Sequence, residues 1–184
     1  MEGSVNLEIN NHIGRIKFSH PKGNSLPTAL LQKLIDTLRT SDKDPNIRVI
    51  ILESEGNAFC AGASLSELKK VKNTEQGTAF FIGFAHLLNC LRKMSKFVLA
   101  RVHGKVVGGG VGLVSACDYA FATEGAQIKL SELSIGLGPY IIEPAVSRKI
   151  GSTAFAQLSL DSTQWKGAQW GLDKGLYAQV VSDN

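Results

Sequence analysis

The chain has 184 residues, 43% of them hydrophobic and 20% charged; with a mean hydropathy of +0.03 it can fill one core, which excludes disorder and sets the expectation of a single domain over residues 1–184. The net charge of +4 suits an anionic ligand, but the basic residues are scattered and do not interleave with aromatics, so no nucleic-acid partner is expected. Residues 1–10 hold no apolar export segment, the uncharged run 77–91 is too short to span a bilayer, and Cys60, Cys90 and Cys117 read as reduced core thiols; a cytoplasmic protein away from membranes is the expectation.

In chain order, alternating residues 5–10 and 13–18 around Asn11 and His12 predict a β-hairpin. Pro27 is placed to open a helix carrying Leu30, Leu31, Leu34, Ile35 and Leu38 at helical spacing and ending near Ser41. Residues 48–53 (RVIILE) form a continuous apolar strand, followed by the irregular EGNAFCAGAS and a short polar helix over 66–71. A longer amphipathic helix over 74–94 should turn Phe80, Phe81, Phe84, Leu87, Leu88 and Leu91 inward, so the Phe stripe reads as core. A strand over 96–103 leads into Gly108-Gly109-Gly110 and a small-residue helix over 111–116. Strands over 119–123 and 127–130 reach Glu132, and helices over 143–150, 152–158 and 163–171 precede a last strand over 177–181. The pattern is one of repeated β-β-α units, a mixed α/β class.

Two glycine-bearing loops each follow a buried strand: Phe59-Cys60-Ala61-Gly62-Ala63-Ser64 and Gly108-Gly109-Gly110-Val111-Gly112. Glycine lets peptide N–H groups approach a ligand closely, and a helix starting after the triplet presents its positive end to developing negative charge. Two N–H groups converging on one oxygen make an oxyanion hole, where each donor contributes roughly 2.7–4 kcal/mol to a transition state. Close packing of a helix on a sheet is the competing explanation for the triplet. The G-x-G-x-x-G dinucleotide pattern fails here, because Ser115 stands at the third glycine position, and no P-loop exists in the chain. His20 and His86 lack partners at ligand spacing, and His103 reads as a core histidine, so no metal is expected.

The segments HPKGNSLP, AFCAGASLSEL, HGKVVGGGVGLVSACDYAFAT and KLSELSIGLGP, in this order and spacing, resemble the crotonase superfamily, specifically its enoyl-CoA hydratase/isomerase family. The resemblance implies a spiral of β-β-α units and an enzyme of fatty acid metabolism that binds an acyl-CoA, with coenzyme A belonging to the substrate and no separate cofactor. It places the two oxyanion-hole amides at Ala63 and Gly109. It lines the coenzyme A path with Lys22, Asn24, Ser25, Leu26, Ala61, Gly62, Ser64, Leu65 and Gly108. The chain stops where family members continue into C-terminal helices, so a truncated core is expected, and the family's trimer or hexamer only if those helices are present.

Family hydratases use two glutamates. The second falls on Glu132, the expected general acid/base, but the first is replaced by Gly112. Hydration shares its work between two carboxylates, whereas one suffices for a 1,3-proton shuttle or for protonating an enolate after decarboxylation. Residues 139–143 (PYIIE) stand where hydratases often carry Pro-Gly-Ala-Gly-Gly; bulky apolar groups there would exclude water and raise the Glu132 pKa. Glu143 and Tyr140 are auxiliary candidates. An enoyl-CoA isomerase or hydratase, an acyl-CoA decarboxylase, and an acyl-CoA-binding homologue without turnover all remain open at this stage.

Overall fold

The computed structural model describes residues 3–182. β1 (Ser4–Asn10) and β2 (Ile13–Ser19) form the antiparallel hairpin, with Asn11 and His12 at φ 49° and 63° in its tight turn. β3 (Val49–Ser54), β5 (Phe97–Val102), β7 (Tyr119–Thr123) and β10 (Gln179–Val181) continue this sheet in parallel, in the order β1-β2-β3-β5-β7-β10. A second sheet, in the order β4-β6-β8-β9, holds β4 (Ala58–Cys60), β6 (Lys105–Val107), β8 (Gln127–Lys129) and β9 (Lys166–Gly167). The sheets meet where Phe18 of β2 and Phe59 of β4 pack edge to face, ring centroids 5.6 Å apart.

Each turn of the spiral runs from a strand of the large sheet to one of the small sheet and returns through helix: β3, β4 and then α2 (Leu65–Leu68) and α3 (Thr74–Arg92); β5, β6 and α4 (Gly109–Ala116); β7, β8 and then α5 (Glu143–Ile150) and α6 (Ser152–Leu160). Because β4, β6 and β8 are parallel neighbours, their carboxyl ends, where chain leaves sheet for helix, lie side by side. In open parallel sheets that edge is where ligands bind.

α1 (Thr28–Lys43) buries Leu30, Leu31, Leu34, Ile35 and Leu38 as its spacing requires. Pro27 supplies no side-chain cap; instead the Glu67 carboxylate of α2 accepts from the Thr28 N–H (2.9 Å) and Oγ1 (2.8 Å). An anion at the positive end of α1 thus ties α2, which lies beside the small sheet's carboxyl edge, to the first helix.

Three expectations need correction. The predicted helix over 163–171 is split: Lys166 and Gly167 pair antiparallel with Ile128 and Gln127, and only α7 (Ala168–Asp173) is helical. Extended pairing with an existing sheet edge outweighs local helix propensity there. The last strand begins at Gln179, since Tyr177 is buried at 1% exposure against the core instead. In α3, Phe84, Leu87, Leu88 and Leu91 are buried, whereas Phe80 and Phe81 are half-buried. Phe80 shares the stripe of Leu87 and Leu91, and Phe81 stands about 100° from it; both border the cavity that α3 helps to line, which leaves them half-buried.

Candidate active site

Three loops converge at the carboxyl edge of the small sheet. After β4, Gly62 takes φ +82°, and a Cβ on it would come within 2.9 Å of both the Gly109 nitrogen and the Val107 oxygen. Only glycine permits these two backbones to touch, which brings the loop that carries Ala63 against the start of α4 at Gly109. After β6, the Gly108 N–H donates to the Lys129 carbonyl (2.9 Å), and Gly108 turns at φ 54°, ψ −119° into α4. Gly109 is the first residue of α4, so its N–H has no intrahelical acceptor. Among the described residues no carbonyl accepts from the Ala63 or Gly109 N–H.

After β8, Glu132 begins a 3₁₀ turn (Leu133–Ile135) whose end, Gly136, is left-handed at φ 77°. The Glu132 carbonyl accepts from Ile135 and Leu137, both at 3.0 Å, which fixes the backbone and aims the side chain at the glycine triplet. A Cβ on Gly108 would lie 2.7 Å from Glu132 Oε1, so the carboxylate rests on the Gly108 backbone itself. Its Oε2 is buried without a hydrogen-bond partner. Burial raises the Glu132 pKa above the ordinary 4.5, opposed by backbone N–H groups of Glu132 and Ser131.

Ala63, Gly109 and Glu132 line one pocket of about 270 Å³ together with Ala61, Leu65, Leu68, Val107, Gly108 and Ser131. Phe80, Phe81 and Phe84 of α3 form one wall, and Ile135, Leu137, Gly138, Pro139, Ile141 and Ile142 close another. The phenylalanines, read as core from their helical spacing, therefore line this cavity; the signal was the pair of adjacent aromatics widening the apolar stripe at the amino-terminal end of α3. Phe84 has a further role, since a Cβ on Gly109 would strike its ring at 2.6 Å.

At Gly112 the space a side chain would use is taken: a Cβ there would sit 2.5 Å from Ile142 Cγ2 and 3.5 Å from Leu88 Cδ1. The position that would carry the first hydratase glutamate is thus packed by aliphatic groups from α3 and the turn before α5. Tyr140 is 81% exposed, and neither it nor Glu143 belongs to the pocket lining.

The loop over 20–26 stands behind the pocket rather than in it. Asn24, Ser25 and Leu26 are buried at 3%, 7% and 2% exposure, and Lys22 is exposed without lining the cavity. The Asn24 amide donates to the Ala58 carbonyl (2.7 Å) and its Oδ1 accepts from the His20 N–H (2.7 Å). Ser25 Oγ and His20 Nδ1 lie 3.1 Å apart. The Leu26 N–H donates to Gly62 O (2.8 Å) and the Ala61 N–H to Gly23 O (3.0 Å), so this loop holds the 61–63 loop in place. Ser64 is likewise buried and caps α2 by accepting from the Glu67 N–H (3.4 Å).

Cys60 and Cys117 are free, and burial pushes both thiols up to about 12, so neither is a nucleophile at neutral pH. Among the described residues no group of three His, Cys, Asp or Glu side chains could hold a metal ion, and no helix is long and apolar enough to cross a membrane.

The fold recurs in solved structures. The enoyl-CoA hydratase of Mycobacterium smegmatis superposes with a TM-score of 0.92 at 27% identity, covering 97% of this chain and 70% of that one. Among curated relatives, the mitochondrial Delta(3,5)-Delta(2,4)-dienoyl-CoA isomerase of Mus musculus is 26% identical over 184 residues, covering 94% of this chain. The ethylmalonyl-CoA decarboxylase of Xenopus tropicalis is 28% identical over 139 residues, covering 74% of this chain. The chain spans 56% and 46% of the lengths of these two curated relatives. The family profile described as enoyl-CoA hydratase/isomerase matches residues 8–184. From its folded spiral and from this match along almost its whole length, the chain belongs to the enoyl-CoA hydratase/isomerase family and has the crotonase fold.

Proposed function

We propose that this chain processes an acyl-CoA by stabilising a thioester enolate, and that its reaction is a 1,3-proton transfer of the enoyl-CoA isomerase kind. The thioester carbonyl oxygen accepts from the Ala63 and Gly109 N–H groups. With the carbonyl polarised, the Glu132 carboxylate removes a proton from C2 of a 3-enoyl thioester, and the electron pair moves onto the carbonyl oxygen as a dienolate. Glu132, now protonated, delivers that proton to C4; the double bond moves from C3–C4 to C2–C3, and the carboxylate is regenerated. Raising the Glu132 pKa brings it nearer the working pH, which helps one group act first as base and then as acid.

The observation that carries this reading is the pairing of one unpartnered, buried carboxylate oxygen with a lining in which no second carboxylate occurs. Hydration requires a second group to hold and activate water, and Ile142 fills the space beside Gly112 where such a group would project. Decarboxylation shares the enolate but not the need for a base, so the two reactions respond differently to loss of Glu132.

The test offers 3-hexenoyl-CoA and trans-2-hexenoyl-CoA in D2O to the protein and to its Glu132→Gln variant. Double-bond migration should appear with the parent and fall at least about 100-fold in the variant, while Kd for a saturated acyl-CoA changes less than about threefold. Equal rates in parent and variant, or 3-hydroxyacyl-CoA as the main product, would sink the assignment.

A further inference from the structure

We infer that the acyl group accepted here is uncharged and apolar, a chain of medium length or a ring, and that acyl groups bearing a free carboxylate are rejected. The inference rests on the acyl-CoA reading of the pocket and adds which acyl-CoA it takes.

The first support is electrostatic. None of the residues lining the pocket is a Lys, Arg or His, and the single ionisable group among them is Glu132, an acid. A carboxylate entering with the acyl group would lose its water, meet no cation and face a charge of its own sign. Neighbouring cations do not reach the cavity: Arg15, Lys17 and Arg101 surround Glu53 on the large sheet, and Lys105 and Lys129 lie over the Trp165 ring at 5.4 and 4.3 Å.

The second support is size. The cavity of about 270 Å³ equals roughly nine water volumes at about 30 Å³ each. An acetyl or butyryl group would leave much of an aliphatic and aromatic chamber to water with few polar partners, or empty and short of dispersion contacts. A group of about six to eight carbons fills it. Phe80 and Phe81 give this chamber a firm wall, their centroids 5.1 Å apart at 80°, and both stay half-buried, so they have apolar surface left for an acyl chain to cover. Leu65 and Ile135, 55% and 51% exposed, flank the same cavity and would be covered in turn.

Calorimetric titration of the whole chain with acetyl-, butyryl-, hexanoyl-, octanoyl- and methylmalonyl-CoA, with coenzyme A as reference, tests this without requiring turnover. Affinity should rise about fourfold per methylene between butyryl and octanoyl, and methylmalonyl-CoA should bind no more tightly than coenzyme A. Phe81→Ala should flatten the slope over the last carbons. A flat ladder in which every thioester binds equally, or methylmalonyl-CoA binding as tightly as octanoyl-CoA, overturns the inference while leaving an acyl-CoA site. Failure of coenzyme A and every thioester to bind removes the acyl-CoA reading, and the inference with it.

Discussion

The carboxylate of Glu132 lies against the Gly108 backbone with one oxygen buried and unpaired, and such a group costs stability in its charged form. Because its pKa is raised on folding, the folded chain holds this proton more tightly than the unfolded chain. The group's contribution to stability is therefore fullest below the unfolded carboxyl range and is lost as pH rises through the raised value. Glu132→Gln removes the charge and keeps the shape. At pH 7 the variant should melt about 2–4 °C above the parent, and the two should converge as the pH is lowered to about 4; thermal unfolding across that range checks it. A parent that melts higher at pH 7 would mean that the carboxylate has a stabilising partner. The family resemblance of the sequence implies roles for Glu132, Ala63 and Gly109. The glutamate rests on the Gly108 backbone, distant in sequence, and shares its pocket with Phe80, Phe81 and Phe84 of α3 as well as with the nearby Leu137, Pro139 and Ile142.

Packing between elements decides what Gly112 means. In sequence it is only the absence of a side chain; in the fold α4 approaches the turn before α5 so closely that Ile142 occupies the vacancy. Gly112→Ala should cost about 1–3 kcal/mol by overpacking, and Ile142→Ala about 2–5 kcal/mol by leaving a cavity. Combined in one chain, the two should cost less than their sum by more than about 0.5 kcal/mol, because each relieves the other's defect. Urea unfolding of the four proteins measures this, and strict additivity would show that the contact carries no strain. The same scale explains the α3 error: periodicity locates an apolar face but does not tell core from cavity, since both present apolar surface to that side of the helix. Only the position of α2 and of residues 135–142 leaves space in front of Phe80 and Phe81 rather than another layer.

At the scale of the whole molecule, the large sheet carries an ion cluster centred on Glu53. Glu53 is 5% exposed and lies 3.5, 3.6 and 3.7 Å from Arg15, Lys17 and Arg101, which are 46%, 38% and 49% exposed at the side chain. The three cations are partly screened by solvent, but removing the one anion leaves them repelling one another across β2, β3 and β5. Glu53→Gln should lower stability by about 1–3 kcal/mol at low salt, with the loss shrinking in 0.5 M NaCl in the order-of-magnitude manner expected for a shorter Debye length. A salt-independent loss would assign the effect to packing instead.

The amino-acid sequence by itself determined the elements that have strong periodicity or fixed punctuation: the hairpin at Asn11 and His12, the helix after Pro27, the apolar strand around Val49–Ser54, the glycine triplet opening α4, and the family to which these belong. Such features are local, because backbone conformation and the burial of one face are written within a few residues. Only the tertiary structure decided that the loops after β4, β6 and β8 share one pocket, that Phe80 and Phe81 face it, that Asn24, Ser25 and Leu26 brace it from behind, and that Ile142 closes the Gly112 position. Each of these depends on parallel strands brought together by long crossovers, and contact across such distances is set by packing the whole core, which no short stretch of residues encodes.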